Sequence, residues 1–167
     1  MDIQYISYVN SQIGLIEIIS NGIAVVSCGF VCCKKEGKTD KISEKGAIQI
    51  QEYLLGKRKV FDLPLEMEGT PFQRKVWQTL CSIPYGETRT YKEIAIQIGN
   101  EKACRAVGMA NHKNPIGIIV PCHRVIGANK KLVGYAGGLD KKEFLLKLEK
   151  KNKKSIVILY KGIWHLT

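Results

Sequence analysis

Three short runs near the start of the chain alternate apolar and polar positions with the period of two that a half-buried strand requires. Ile3, Tyr5 and Ser7 open the first, residues 14–20 form the second and residues 22–28 the third. Asn21-Gly22 separates two runs rich in β-branched residues, a strong hairpin signal, so an antiparallel meander is expected over 2–29. The period then lengthens. Ser43 to Leu55, with Ile48, Tyr53, Leu54 and Leu55 available for one side and Gly56 after it, predicts a helix. Lys57 to Gly69, containing Pro64, reads as a last strand and a linker. The front half shows no candidate for chemistry, and its expected job is support.

Helical spacing returns at Thr70-Pro71, an N-cap and first helical residue, with Phe72, Val76, Trp77 and Leu80 recurring as far as Cys81. Pro84-Tyr85-Gly86 breaks it. Thr90 and Glu93 then make a capping box for a short helix ending at Gly99, whose buried side is Tyr91, Ile94, Ala95 and Ile98. Asn100 is the expected cap of the next helix, Glu101 to about His112. Two short helices around a glycine-containing turn form a helix-turn-helix pattern, whose second helix is expected to enter a groove. On that helix Ala103, Val107 and Ala110 read as core. Cys104, Ala106 and Gly108 leave other positions nearly bare around one long cation, Arg105. A bare face with one arginine suits insertion into a tight groove, and packing against a neighbouring helix explains the small residues equally well.

After Asn114-Pro115, the apolar run 116–120 reads as a buried strand that Pro121 ends. Cys122, His123 and Arg124 follow directly: a nucleophile, a base and a fixed charge, the last two able to lower a thiol pKa. Inert packing is the alternative, since free cysteines are among the most buried residues. A strand would put Cys122 and His123 on opposite faces. A tight turn or the first turn of a helix is expected instead, where backbone N–H groups help hold a thiolate. The glycines of 133–138 allow close approach to something flat or bulky. Asp140 and Glu143 stand at capping-box spacing before a last helix, with Phe144, Leu145 and Leu148 as its core side, to about Lys150. Glu149 at its end is a candidate to orient His123, against the surface solvation that is a glutamate's usual fate.

Composition narrows this picture. The chain of 167 residues is 45% hydrophobic, as in ordinary globular proteins. No apolar stretch approaches the roughly 20 residues of a membrane span. The start lacks the basic and then apolar regions of a signal peptide, so a cytoplasmic protein without membrane contact is expected. Cysteines 28, 32, 33, 81, 104 and 122 are then expected as free thiols. Cys28, Cys32 and Cys33 lack C-x2-C spacing and a nearby histidine, so no metal site is expected. Of the net charge of +11, residues 1–68 contribute 8 basic and 9 acidic side chains, residues 69–149 contribute 13 and 6, and residues 150–167 contribute 5 and 0. A neutral front and a basic back half suit a polyanion such as nucleic acid, although a merely soluble basic surface has the same composition.

Residues Arg105 to Glu149 resemble the methylated-DNA–protein-cysteine methyltransferases, the O6-alkylguanine-DNA alkyltransferases, through R-A-V-G, N-P, I-I-V-P-C-H-R-V-I and G-Y-A-G-G-L in that order. The resemblance extends back to about Thr70, and the front half looks like the family's more variable N-terminal domain. It implies an α/β (α+β) fold with a ribonuclease H-like N-terminal domain, a three-stranded antiparallel sheet with a helix, over 1–68. It implies a C-terminal helical winged-helix/helix-turn-helix DNA-binding domain over 69–150, followed by a basic tail over 151–167. That tail is either a phosphate clamp or carries an added strand at 156–160.

The resemblance also implies roles. Cys122 is the alkyl acceptor, His123 its base acting through a water, and Glu149 polarises His123. Asn114 orients the site, and Tyr91 favours departure of guanine by donating a proton. Arg105 fills the gap left by a flipped base, and Cys104, Ala106, Gly108 and Arg124 complete the DNA-binding set. Tyr135, Ala136, Gly137 and Val133 line the base pocket. Ala136 stands where some relatives carry serine, which leaves a backbone N–H to meet O6. Some relatives bind zinc in the front domain, for which this chain lacks a convincing set. No cofactor is expected. The expected partner is duplex DNA containing O6-alkylguanine, with O4-methylthymine as a further substrate, met by a monomer. The competing functions are a non-catalytic module that binds alkylated DNA and a cysteine hydrolase using Cys122 and His123.

Overall fold

The amino-terminal meander forms as expected: β1 (Tyr5–Ser11), β2 (Gly14–Ser20) and β3 (Val25–Val31) pair antiparallel in that order. The computed structural model describes residues 3–164, with side chains to Lys153. Asn21 makes a longer connection than the expected two-residue turn. Its Oδ1 accepts from the N–H groups of Ile23 and Ala24, both at 2.9 Å, and its own N–H donates to Ala24 O at 3.1 Å, so β3 starts at Val25.

Helix α1 (Lys41–Leu54) begins before Ser43, because Asp40 is the cap. The Asp40 carboxylate accepts from Ser43 N–H at 2.7 Å, and Ser43 Oγ accepts from Asp40 N–H at 3.1 Å. The inward side is rotated from the one expected. Ile48 and Leu55 are exposed, whereas Gly46, Gln49, Ile50 and Tyr53 are buried. Gly46 explains the rotation: a Cβ there would lie 3.0 Å from Ile18 of β2, so the helix rests on the sheet through its smallest residue. Residues 57–69 form no strand. Leu65 makes one bridge to Val25, while Phe61, Leu63, Leu65 and Met67 alternate toward the core. The segment alternates as a strand would, but its pairing is limited to that one bridge, with Val25 N–H donating to Pro64 O at 2.8 Å and Glu66 N–H to Val25 O at 3.0 Å.

Helices α2 (Pro71–Cys81) and α3 (Tyr91–Gln97) carry the capping boxes Thr70–Gln73 and Thr90–Glu93. Helix α4 (Cys104–His112) starts later than expected: Ala103 is its N-cap without a side-chain bond, and Asn100 contributes only a turn, its C=O accepting from Ala103 N–H at 3.0 Å. The three helices pack through Val76, Trp77, Leu80, Ile94, Val107 and Ala110, and Trp77 Nε1 donates to Ala110 O at 2.8 Å. Two strands of two residues were not anticipated. β4 (Arg89–Thr90) and β5 (Val125–Ile126) pair in parallel and join the start of α3 to the chain leaving Arg124.

The run 116–120 is buried but is not a strand. Ile116 makes one bridge to Cys28, after which Ile119 N–H donates to Gly117 O at 2.8 Å and Val120 N–H to Ile116 O at 3.0 Å. Ile118 takes φ 69° at this reversal, an unusual setting for a β-branched residue. Apolar content alone does not separate a buried turn from a buried strand. The last helix, α5 (Leu139–Trp164), places Asp140 inside its first turn rather than at its cap. It continues past Lys150, so the boundary expected at 151 falls within it and 156–160 are helical rather than an added strand. Residues 165–167 of the basic tail lie outside the described residues. Among the described residues no helix is long and apolar enough to cross a membrane.

Candidate active site

Cys122, His123 and Arg124 form a single 3-10 turn after Pro121, the tight turn expected, and all three are buried. Cys122 faces a pocket of about 150 Å³ together with Asn114, Tyr135, Ala136 and Gly137. His123 and Arg124 reach instead to Glu149 on α5. A larger cavity of about 340 Å³ touches Pro121 and Arg124 from the other side but does not reach Cys122.

Glu149 is fully buried rather than solvated. Its carboxylate meets His123 Nε2 at 2.8 Å and accepts from Arg124 Nε at 3.0 and 3.1 Å, from Tyr53 Oη at 2.7 Å and from Gly86 N–H at 3.1 Å. Burial alone would raise its pKa. The hydrogen bonds and charges of His123 and Arg124 together outweigh burial and hold the carboxyl at about 2. Burial pushes the His123 pKa down, against the pull of Glu149, which favours the neutral imidazole. With Nε2–H directed at Glu149, the network assigns the lone pair to Nδ1, and that buried nitrogen has no protein partner.

Burial likewise raises the Cys122 thiol pKa. The Asn114 amide, the Lys142 charge and the backbone N–H groups of Cys122 and His123 act in the opposite sense. Asn114 is itself fixed: Nδ2 donates to Val120 O at 2.9 Å and Oδ1 accepts from Ile116 N–H at 3.0 Å. Lys142 is fully buried and donates to Val133 O at 2.9 Å, to Gly134 O at 3.3 Å and to Val125 O. Burial brings its pKa down to about 8, partly offset by Cys122. Tyr91 begins α3 and donates from Oη to Val133 O at 3.1 Å. The β4–β5 pair explains its position, since it ties the residue before Tyr91 to the strand that follows Arg124.

Several expected positions are corrected. Arg124 does not face a nucleic acid: its guanidinium is inward, donating to Glu149 and, at 2.7 Å, to Ile83 O. On α4, Arg105 and Ala106 are exposed, whereas Cys104 and Gly108 are half-buried. Cys104 packs on the core, and a Cβ at Gly108 would sit 3.8 Å from the Tyr91 ring. The exposed face is completed instead by Met109, 63% accessible. Val133 contributes its carbonyl to Tyr91 and Lys142, while its side chain is exposed and does not line the pocket.

Other contributors were not anticipated: Tyr53 from α1, Cys28 and Phe30 from β3, and Lys142. Only Lys142 left a signal, because Lys142, Leu145 and Glu149 recur at i, i+3 and i+7 and all three are fully buried. Among the described residues, no group of three or more His, Cys, Asp or Glu side chains is placed to hold a metal ion.

Residues 71–151 match the family described as 6-O-methylguanine DNA methyltransferase, DNA binding domain. The methylated-DNA–protein-cysteine methyltransferase of Methanosarcina barkeri is 53% identical over 155 residues, covering 89% of this chain and 98% of that protein. The crystal structure of Mycobacterium tuberculosis O6-methylguanine methyltransferase superposes with a TM-score of 0.82 at 42% identity, covering 90% of this chain and 94% of the other. The OGT of the same organism in complex with DNA gives 0.81 at 43% identity, over 89% and 94%. The likeness to the Methanosarcina protein therefore spans the sheet and α1 as well as the helices around Cys122. On that shared length, the chain belongs to the methylated-DNA–protein-cysteine methyltransferase family.

Proposed function

We propose that this DNA-repair methyltransferase accepts the alkyl group of O6-alkylguanine in duplex DNA onto Cys122, once and irreversibly, with the damaged base turned out of the duplex from the minor groove. One observation carries this reading. A buried imidazole, fixed through Nε2 to a carboxylate held at about 2, keeps its other nitrogen unpaired and follows directly in the chain on a buried cysteine that lines a pocket.

The chemistry follows from that arrangement. His123 Nδ1 takes the Cys122 proton through a water, and Glu149 steadies the imidazolium that forms. The thiolate attacks the alkyl carbon in line. The S–C bond forms as the C–O6 bond breaks, and the electron pair stays on guanine. Tyr91 Oη leaves Val133 O to donate a proton to the departing guanine, and solvent passes the His123 proton back to Tyr91. Asn114 and Lys142 oppose the effect of burial on the thiol, so the thiolate is less costly to form at the moment of reaction. The product is a thioether that no group of the site can reverse, so each molecule reacts once.

Recognition falls to the pocket and to α4. Tyr135, Ala136 and Gly137 receive the base, with a backbone N–H rather than a side-chain hydroxyl meeting O6 at Ala136. Arg105 occupies the space the base vacates, and Ala106 and Met109 lie along the groove. O4-methylthymine enters the same pocket as a second substrate. The protein acts as a monomer, with 1–68 as supporting domain and 69–150 as alkyltransferase domain.

The test is an intact mass after incubation with an equimolar duplex carrying one O6-methylguanine. A single methyl on Cys122, located by peptide mapping and absent in Cys122→Ser, is expected. Duplex binding without a mass change means a binding module instead. Repair of many lesions per protein molecule contradicts single acceptance.

A further inference from the structure

We infer that Phe30, a residue of the amino-terminal sheet, sets the largest alkyl group that Cys122 can accept; this rests on the alkyl-transfer reading above. Alternation along β3 puts Cys28 and Phe30 on one face, and both line the pocket that holds Cys122. That end of the strand is clamped. Cys28 N–H donates to Pro115 O at 3.0 Å, and Cys28 O accepts from Gly117 N–H at 2.8 Å, in the segment leading to Cys122. The wall is therefore fixed relative to the nucleophile.

Gly137, Gly14 and Lys141 lie around the Phe30 ring. A Cβ built on Gly137 would lie 2.8 Å from Phe30 Cδ2, so ring and pocket loop are in direct contact. A Cβ on Gly14, in the first hairpin, would lie 3.5 Å from Cδ1. Lys141 Nζ, from the first turn of α5, sits 5.2 Å from the ring centroid. The ring is half-buried, and its tight contact is the one with the pocket loop at Gly137. An alkyl group carried to the Cys122 sulfur lies between that sulfur, Tyr135 and Phe30, inside about 150 Å³. A methyl group adds one carbon to the base, whereas a benzyl group adds a ring that must displace Phe30. A single methylene in a fixed apolar pocket changes relative rates by roughly 10- to 200-fold, so a ring against a ring discriminates at least that strongly.

The experiment compares second-order rate constants for duplexes of one sequence carrying O6-methylguanine or O6-benzylguanine, so that DNA contacts cancel in the ratio. Phe30→Ala raises the benzyl-to-methyl ratio by at least about tenfold. Phe30→Leu, which keeps an apolar side chain on the core, raises it less and decides the matter if the alanine variant does not fold. Gly137→Ala lowers the benzyl rate in the wild-type background and is rescued by Phe30→Leu, because the two positions compete for one space. An unchanged ratio in the folded variants overturns the inference, and a lowered ratio makes Phe30 a stacking platform instead. Methyl uptake by wild-type Cys122 tests the alkyl-transfer reading separately.

Discussion

Two regions close on Glu149 from opposite sides, and they bring different chemistry. The carboxy-terminal region supplies ionisable groups: His123 Nε2 at 2.8 Å and the Arg124 guanidinium, itself fixed to Ile83 O. The amino-terminal region supplies a neutral hydroxyl, Tyr53 Oη at 2.7 Å, together with the Cys28 thiol and the Phe30 ring. Charges decide whether a proton can move. A hydroxyl and a ring decide how firmly and in what space it moves. The difference implies that the back half carries the reaction, while the front half holds its carboxylate and shapes its pocket.

The largest expected effect comes from breaking the ionic side. Glu149→Gln leaves Arg124 buried without a counter-charge and removes the partner of the imidazolium. Methyl transfer falls by about 10²- to 10³-fold, and stability by roughly 3–5 kcal/mol, read by urea unfolding. The acid limb checks the cause. The folded pKa of about 2 lies below the ordinary 4.5, so the stabilisation is fully present above about 4.5 and is lost as pH falls toward 2. In the glutamine variant that acid-sensitive loss shrinks; an unchanged acid profile would assign it to other carboxylates.

Next in size is Arg105→Ala, which touches neither side of Glu149. Its side chain is exposed on α4. Transfer from duplex DNA drops by about tenfold or more, since refilling a vacated stack is worth a few kcal/mol. Reaction with free O6-benzylguanine stays within about twofold, because no stack is opened. Equal losses on both substrates contradict the flipping role.

Tyr53→Phe sharpens the comparison from the front half. It deletes one hydrogen bond to an ionised carboxylate that keeps its charged partners. Stability falls by roughly 1.5–3 kcal/mol, and methyl transfer by about fivefold, the part of that free energy felt at the base being about 1 kcal/mol. A loss as large as that of Glu149→Gln would place Tyr53 among the reacting groups rather than behind them.

The legibility of the two regions follows the same division. The capping box at Thr90–Glu93, the Thr70-Pro71 helix start and the Cys-His-Arg run are local, and the structure realises each where the residues stand. Tyr53 is legible only as an apolar position of a helix, and Phe30 lies past residue 28, the expected end of the third strand, although β3 runs to Val31. Their functional contacts cross 96 residues to Glu149 and more than a hundred to Gly137, and no periodicity encodes a partner that distant. Arg124 misled for the reason that makes it useful. An arginine beside a nucleophile reads as a charge for the thiol, and the resemblance adds it to the DNA-binding set, whereas the buried carboxylate of α5 pairs with it inside the protein. Cys104 and Gly108 are half-buried because the side of α4 they share lies against neighbouring groups, the core at Cys104 and the Tyr91 ring near Gly108.

The smallest effects lie on the surface, where the two regions differ in charge rather than in contact. Lys45–Asp62 in the front half is an exposed pair at 3.4 Å, and such pairs contribute about 0–1 kcal/mol. Lys45→Ala therefore changes stability little and leaves the dependence of duplex affinity on salt as it was. Lys113 is also exposed but follows directly on α4, beside the proposed groove face. Each phosphate contact releases a counterion and adds about 0.9 to the slope of log affinity against log salt. Lys113→Ala lowers that slope by about one, measured by fluorescence anisotropy across a salt series. Equal slopes for the two variants mean that the basic back half does not meet the duplex through the end of α4.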